Sequence, residues 1–277
     1  MTLRTLAAVF TTVETPDRLA REAAALARRL DAHLLGITVT SDPRYYPTLD
    51  GYMATEVLAE IDRRQERKAE TIHEVFEAAV KAEDVRGEWR VARAGMQTVA
   101  ERILESGRGS DMLVMTRPES YVHQLDDIQE QVIRGLGRPV LMLPHGATLE
   151  NVCKRAMIGW SPTREAARAA FDALMLLEPG AEVTLLNVGA TSAHDLADGP
   201  MNDLAVGLTR HGVSVNVVHR EPGARHIGQV ILDEAREVGA GFIATGAFGH
   251  SRAYDFVIGA VTRELLTESA LPVMFSK

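Results

Sequence analysis

The chain has 277 residues, about two domains at roughly 150 residues each. Its 46% apolar and 25% charged residues give it a globular composition, which excludes a disordered or fibrous chain. A net charge of −8, no basic run, and only two Trp, five Tyr and seven Phe argue against a nucleic-acid partner.

The N-terminal apolar run, Leu6-Ala7-Ala8-Val9-Phe10, is too short to cross a bilayer and lacks a small-residue cleavage site before Glu14 and Asp17. It reads as a first buried strand, so no membrane partner and a cytoplasmic location are expected. A turn containing Thr15-Pro16-Asp17 follows, then a helical stripe of Leu19, Ala23, Leu26 and Leu30. Ala32 to Val39 reads as the next strand. A long charged helix is expected from about Ala54 to Lys81, with Val57, Ile61, Ile72, Val75 and Phe76 on its apolar side and a solvated charged face. Ser110 to Met115 and Gly137 to Met142 are further apolar runs.

The same order then repeats. Pro144-His145-Gly146-Ala147-Thr148 marks a seam, and Cys153, the single cysteine, follows it. One cysteine permits no internal disulfide or multi-cysteine metal site, and this thiol is expected to be inert. Ala156 to Trp160 corresponds to the first strand and Ser161-Pro162-Thr163 to its turn. Ala167, Phe171, Leu174 and Leu177 form the expected helical stripe, and Ala181 to Val188 the next strand. A shorter helical stretch lies around Met201 to His211. Ala240 to Thr245 matches Ser110 to Met115, and Ala270 to Phe275 matches Gly137 to Met142. Continuous apolar strands alternating with helices predict parallel sheets covered on both faces. The expected organisation is a tandem of two α/β domains, 1–146 and 147–277. The strands Pro139 to Leu143 and Pro272 to Phe275 could pair with one another or with a second chain.

The sharpest chemical signal is Thr245-Gly246-Ala247-Phe248-Gly249-His250-Ser251, then Gly259-Ala260-Val261-Thr262, a G-x2-G-x9-G spacing. Glycine at a strand end lets a ligand approach the backbone. Gly259 precedes a helix, Val261 to Glu268, whose first amides lack intrahelical partners and favour an anion. This loop, with the final Leu271-Pro272-Val273-Met274 strand, resembles the universal stress protein family in its tandem form, over nearly the whole chain. The resemblance implies five-stranded, mainly parallel sheets with helices on both faces. It also implies either an adenine-nucleotide site for ATP or AMP, with Mg²⁺ accompanying ATP, or a domain that binds none. Members usually pair through their last strands, so the chain resembles an internal pseudo-dimer that could also form a homodimer.

Carried over by position, the resemblance assigns Gly159, Ser161, Val188, Thr245, Gly246, Gly249, His250, Gly259, Ala260, Val261 and Thr262 to the nucleotide site. Ser161 stands where ATP-binding members carry Asp, and Ala260 where a Ser or Thr commonly follows the third glycine. Losing two hydrogen bonds to charged groups, at roughly 1.5–3 kcal/mol each, would weaken binding about a hundredfold or more. Ser161 also reads as an N-cap before an N1 proline, Trp160 as core or adenine platform, and His250 as a turn residue or a phosphate contact.

The first copy carries Thr116-Arg117-Pro118-Glu119-Ser120 in place of the loop and Asp126-Asp127 in place of Gly259-Ala260. It reads as structural. No paired histidines, Walker loop or G-x-S-x-G elbow is present, so neither a metal centre nor catalytic residues are expected. The leading expectation is a non-catalytic stress protein with a weak adenine-nucleotide site in its second domain. The alternative is a nucleotide-free interaction scaffold. Slow ATP hydrolysis would require Mg²⁺ and a general base that the sequence does not display.

Overall fold

The computed structural model describes residues 2–11, 16–41, 55–117, 128–189, 191–248 and 259–277, with the backbone alone for 55–56 and 191–198. Thr15, Pro118, Glu119, Ser120, Asp126, Asp127, Gly249, His250, Ser251 and Arg252 therefore lie outside the described residues.

Strand β1 (Thr5–Phe10) is buried over its last five residues, as an apolar run covered on both faces must be. Helix α1 (Pro16–Arg29) follows, burying Leu19, Ala23 and Leu26, and leads into β2 (His33–Thr40). Then come α2 (Thr55–Glu83), β3 (Gly87–Arg93), α3 (Val99–Gly107), β4 (Met112–Thr116), α4 (Ile128–Gly135) and β5 (Val140–Leu143). The second copy runs β6 (Arg155–Trp160), α5 (Arg164–Ala173), β7 (Glu182–Val188), α6 (Thr191–Thr209) and β8 (Ser214–Arg220). It ends with α7 (Ile227–Glu237), β9 (Phe242–Gly246), α8 (Ala260–Glu268) and β10 (Val273–Ser276).

The two halves share one ten-stranded sheet, ordered β3-β2-β1-β4-β5-β10-β9-β6-β7-β8. Every pair is parallel except β5 with β10, which meet antiparallel with Met142 opposite Val273 and Val140 opposite Phe275. The two short apolar strands thus pair with each other, and the outer edges fall to β3 and β8. Alternating polar residues on those edge strands leave them largely exposed.

Each sheet face carries an apolar core that runs through both halves. One includes Phe76, Leu26, Phe242 and Trp160; the other includes Ile103, Ile133, Ile231 and Phe275. The seam is tied down rather than free. Leu149, Val152 and Cys153 are buried, Arg29 Nη1 donates to the carbonyls of Leu149 and Glu150 at 2.9 and 2.8 Å, and Leu149 N donates to Glu22 Oε2 at 2.6 Å.

Burial pushes the Cys153 thiol pKa up, and the Arg29 guanidinium, 3.7 Å from Sγ, pulls down without reversing it. The unfolded chain begins to lose this proton near pH 8.5, about one ordinary thiol pKa, while the folded chain keeps it. The stability contributed by the neutral thiol is therefore complete below that pH and is lost as pH rises toward the higher folded value. Thermal unfolding between about pH 7 and about pH 9.5 should show a steeper fall for the native chain than for Cys153→Ala. Parallel curves would remove this assignment.

Two expected helical faces differ from those observed. In α5 the buried apolar residues are Ala166, Ala169, Ala170 and Ala173, whereas Phe171 is 41% exposed and meets His211 edge-on at 5.9 Å. The helix ends at Ala173, before Leu174 and Leu177. Small alanines let α5 sit close on the sheet, and that contact sets its rotation. In α2, Ile72 and Phe76 are buried as expected, but Val57 is 48% exposed.

Candidate functional site

In an open parallel sheet a ligand binds outside the carboxyl ends of the strands, where the strand order reverses. In the second half that point lies between β6 and β9, with β7 on the far side of β6. Gly159 lies opposite Thr245 in the ladder, with an ideal Cβ on Gly159 3.6 Å from Thr245 Oγ1. Val188 closes β7 one residue beyond Asn187, the partner of Trp160. Gly159, Ser161, Val188, Thr245 and Gly246 are thus gathered at one end of the sheet. Val188, Phe248 and Val261 pack against the same core cluster, so the start of α8 lies on the sheet face that Val188 meets.

Two helix N-termini in this half differ in how they are satisfied. Thr163, not Ser161, is the N-cap of α5: its Oγ1 accepts from Ala166 N at 3.2 Å. Ser161 lies two residues upstream, its carbonyl accepting from Thr163 N at 2.7 Å and its hydroxyl 3.2 Å from Thr163 Oγ1. The N-cap reading of Ser161 is corrected accordingly, because the ordered turn continues past Pro162 before the helix begins. Glu165 adds a buried carboxylate to that first turn. Burial alone would raise its pKa, but the Arg164 bond at 2.5 Å, its own backbone amide and nearby Lys277 hold it below the usual carboxylate range.

Helix α8 starts bare by comparison. Gly259 is its N-cap, with φ −62° and ψ 142°, and among the described residues no side chain caps the first turn. Ala260 is exposed, Val261 half-buried and Thr262 buried. The start of α8 can therefore accept an anion through its amides, while α5 already holds an acceptor and a negative charge.

Gly246 has a packing duty that the spacing motif did not reveal. A Cβ there would lie 2.6 Å from both Ala166 N and Glu165 C. Trp160 is 9% exposed within the core on the α5 side, which gives its ring a packing role. Asn187, also buried, donates from Nδ2 to the Trp160 carbonyl at 3.3 Å.

Fitted to an adenine nucleotide, these residues supply the phosphate end but only part of the sugar end. The bare α8 terminus and the small Gly259 suit a phosphate. Ser161 offers a hydroxyl already shared with Thr163, without the carboxylate that would accept ribose hydroxyls.

A contact between the halves also reaches this loop. Phe248, at φ +65°, lies with its ring under the Arg134 guanidinium of α4 at 4.1 Å and near the Lys277 ammonium at 5.5 Å. No local pattern in the sequence announces that pairing. The first half likewise holds more than packing, since a cavity of about 580 Å³ lies at the carboxyl ends of β1 and β2.

The universal stress protein family model matches residues 3–144 and again 154–277. A universal stress protein from Archaeoglobus fulgidus DSM 4304 has a similar structure, with a TM-score of 0.70, 14% identity and 98% of each chain covered. A putative universal stress protein from Pseudomonas aeruginosa UCBPP-PA14 superposes at TM-score 0.59 and 12% identity, over 99% of this chain and 93% of that one. The cytoplasmic domain of a prokaryotic cation chloride cotransporter shares the fold at TM-score 0.51 and 15% identity, over 100% of this chain and 95% of its own. No curated protein matches the chain. Two matches that together span nearly every residue place the chain in the universal stress protein family, as a tandem of two domains.

Proposed function

We propose that this tandem universal stress protein is a non-catalytic cytoplasmic binding protein whose second domain holds the phosphates of an adenine nucleotide, ATP or AMP, weakly. The observation that carries this reading is the start of α8 behind Gly259, uncapped among the described residues and on the sheet face that Val188 also meets. The amides of Ala260, Val261 and Thr262 would meet phosphate oxygens, Gly159 would leave room for the ligand, Gly246 would hold α5 close to the end of β9, and Val188 would flank the adenosine. Gly249 and His250 join the set by the resemblance alone. Any Mg²⁺ would come with ATP.

A second reading is supported by Ser161, Ala260 and the packing of Gly246: a nucleotide-free scaffold acting through its pseudo-dimer surface. Pairing of β5 with β10 favours a chain that completes its own central surface, and light scattering at high concentration would then show a monomer.

The deciding experiment starts from protein purified without added nucleotide. Denaturation and mass spectrometry of the released small molecules should yield adenine nucleotide. Calorimetric titration of the stripped protein with ATP, ADP and AMP should then saturate near one site per chain. No released nucleotide together with no heat from any of the three would reject the nucleotide reading in favour of the scaffold.

A further inference from the structure

We propose that the first domain holds a second, chemically different ligand: a single-chain amphiphile with an anionic head, of the fatty carboxylate class. The juxtaposition behind this is a cavity of about 580 Å³ lined by two cations, unpaired among the described residues, and by a set of apolar side chains, with Thr38, Thr40 and Ser41 at the strand ends. Its volume falls in the range of small-molecule sites, about 300–1,000 Å³.

The cations come from α2. Ile61, Arg64, Gln65, Lys68, Ala69 and Ile72 all line the cavity. Their spacing of three and four residues makes them one continuous helical stripe. Arg64 and Lys68, expected on a solvated face, thus lie on the cavity side with their heads exposed. Among the described residues, neither forms an ion pair with a carboxylate. Ala69 and Ile72 are buried deeper along the same stripe.

The opposite wall is apolar where a hydrocarbon chain would run. Val39, Val99, Ile103 and Ile128 line it, from β2, α3 and the start of α4. Thr11 also lines the cavity, and its Oγ1 is buried with no hydrogen-bond partner among the described residues. Buried hydroxyls are normally partnered, so this one is an unmet donor and acceptor on a residue of the cavity lining. Gln65 is fixed in place because its Oε1 accepts from Ser41 N at 3.0 Å.

A nucleotide suits this cavity poorly. Phe10 is the aromatic residue of its described lining, and that ring already contacts Phe76 and Trp89 at 6.3 and 5.6 Å. Where the second copy has Gly246 after its fourth strand, the first has Arg117, whose Nη1 is committed to the Ser269 carbonyl at 2.8 Å. The glycine of that position is replaced by a residue that bonds the two halves. Cations at the mouth and aliphatic side chains within match an acyl chain ending in a carboxylate.

The test uses the full chain, freed of co-purifying lipid, and calorimetric titration with laurate. Dodecyltrimethylammonium, with the same tail and an opposite head, serves as the control, and ATP as the independent probe. Laurate should saturate at one site, and dodecyltrimethylammonium should bind at least tenfold more weakly. The double variant Arg64→Gln/Lys68→Gln alters two exposed side chains and should weaken laurate about tenfold. Ala69→Phe, which fills the cavity, should reduce laurate binding in a chain shown to be folded by circular dichroism. The ATP titration should be the same in native and variant chains, whichever way the second-domain question is answered. Absence of laurate saturation, equal affinity for the two amphiphiles, or an unchanged laurate affinity in the double variant would overturn the proposal. Loss of an ATP signal in the double variant would also overturn it, by giving the cavity to the nucleotide.

Discussion

Replacing Gly246 by valine should destabilise the folded chain by about 3 kcal/mol, the upper part of the range for overpacking a close contact. The new Cβ would stand 2.6 Å from Ala166 N and from Glu165 C, both backbone atoms in the first turn of α5. A side-chain tip can swing away cheaply, but this turn cannot. It is fixed by the Thr163 cap, and the residues behind it, Ala166, Ala169 and Ala170, are buried against the sheet. The shift would also strain the pairing of Gly246 with Ser276 on β10, the strand that joins the halves. Urea unfolding of Gly246→Val and Gly246→Ala measures the effect. A valine variant within about 0.5 kcal/mol of the native chain would mean that α5 yields, leaving ligand approach as the reason for glycine. Loss of nucleotide binding in a Gly246 variant is therefore interpretable only beside its stability.

Much of the architecture can be read from the chain because α/β tandems write it into continuous apolar runs. Leu6 to Val9 and Ala156 to Met157 must be covered on both faces, and the positions of such runs repeat between the halves. The sequence allows the two short apolar strands to pair with each other or with a second chain, and in the fold β5 pairs with β10. The edge strands β3 and β8 carry no comparable run, since one or both of their faces meet water. Helix rotation was harder to read. Hydrophobic periodicity weights Phe171 above alanine, yet close packing rewards the small residues: Ala166, Ala169, Ala170 and Ala173 are buried, Leu174 joins the core just past the helix, and Phe171 stays exposed. In α2, Arg64 and Lys68 are exposed, as a solvated charged face requires, and they also line the cavity at the ends of β1 and β2, which no local pattern announces. At the second-domain site, spacing located the glycines but could not assign their tasks. Gly246 makes a close backbone approach to α5, Gly259 caps α8, and Arg134 reaches Phe248 across more than a hundred residues of sequence.

Gly259→Asp separates helix stability from ligand binding, because the two should move in opposite directions. With φ −62° and ψ 142°, Gly259 already has the extended backbone of an N-cap, so aspartate fits without strain. Its carboxylate would accept from the free amides of the first turn and place a negative charge at the positive end of α8. The gain in stability should be about 0.5–1 kcal/mol, read from urea unfolding. That carboxylate would occupy the position proposed for phosphate. A bound nucleotide would lose hydrogen bonds worth about 1.5–3 kcal/mol and meet a like charge, so ATP and AMP affinity should fall at least about a hundredfold. The first copy makes the same exchange in sequence, with Asp126-Asp127 where the second has Gly259-Ala260. A more stable variant that no longer binds nucleotide would tie the phosphate to the start of α8. A more stable variant with unchanged affinity would place the phosphate elsewhere, because one helix terminus cannot give the same amides to both anions.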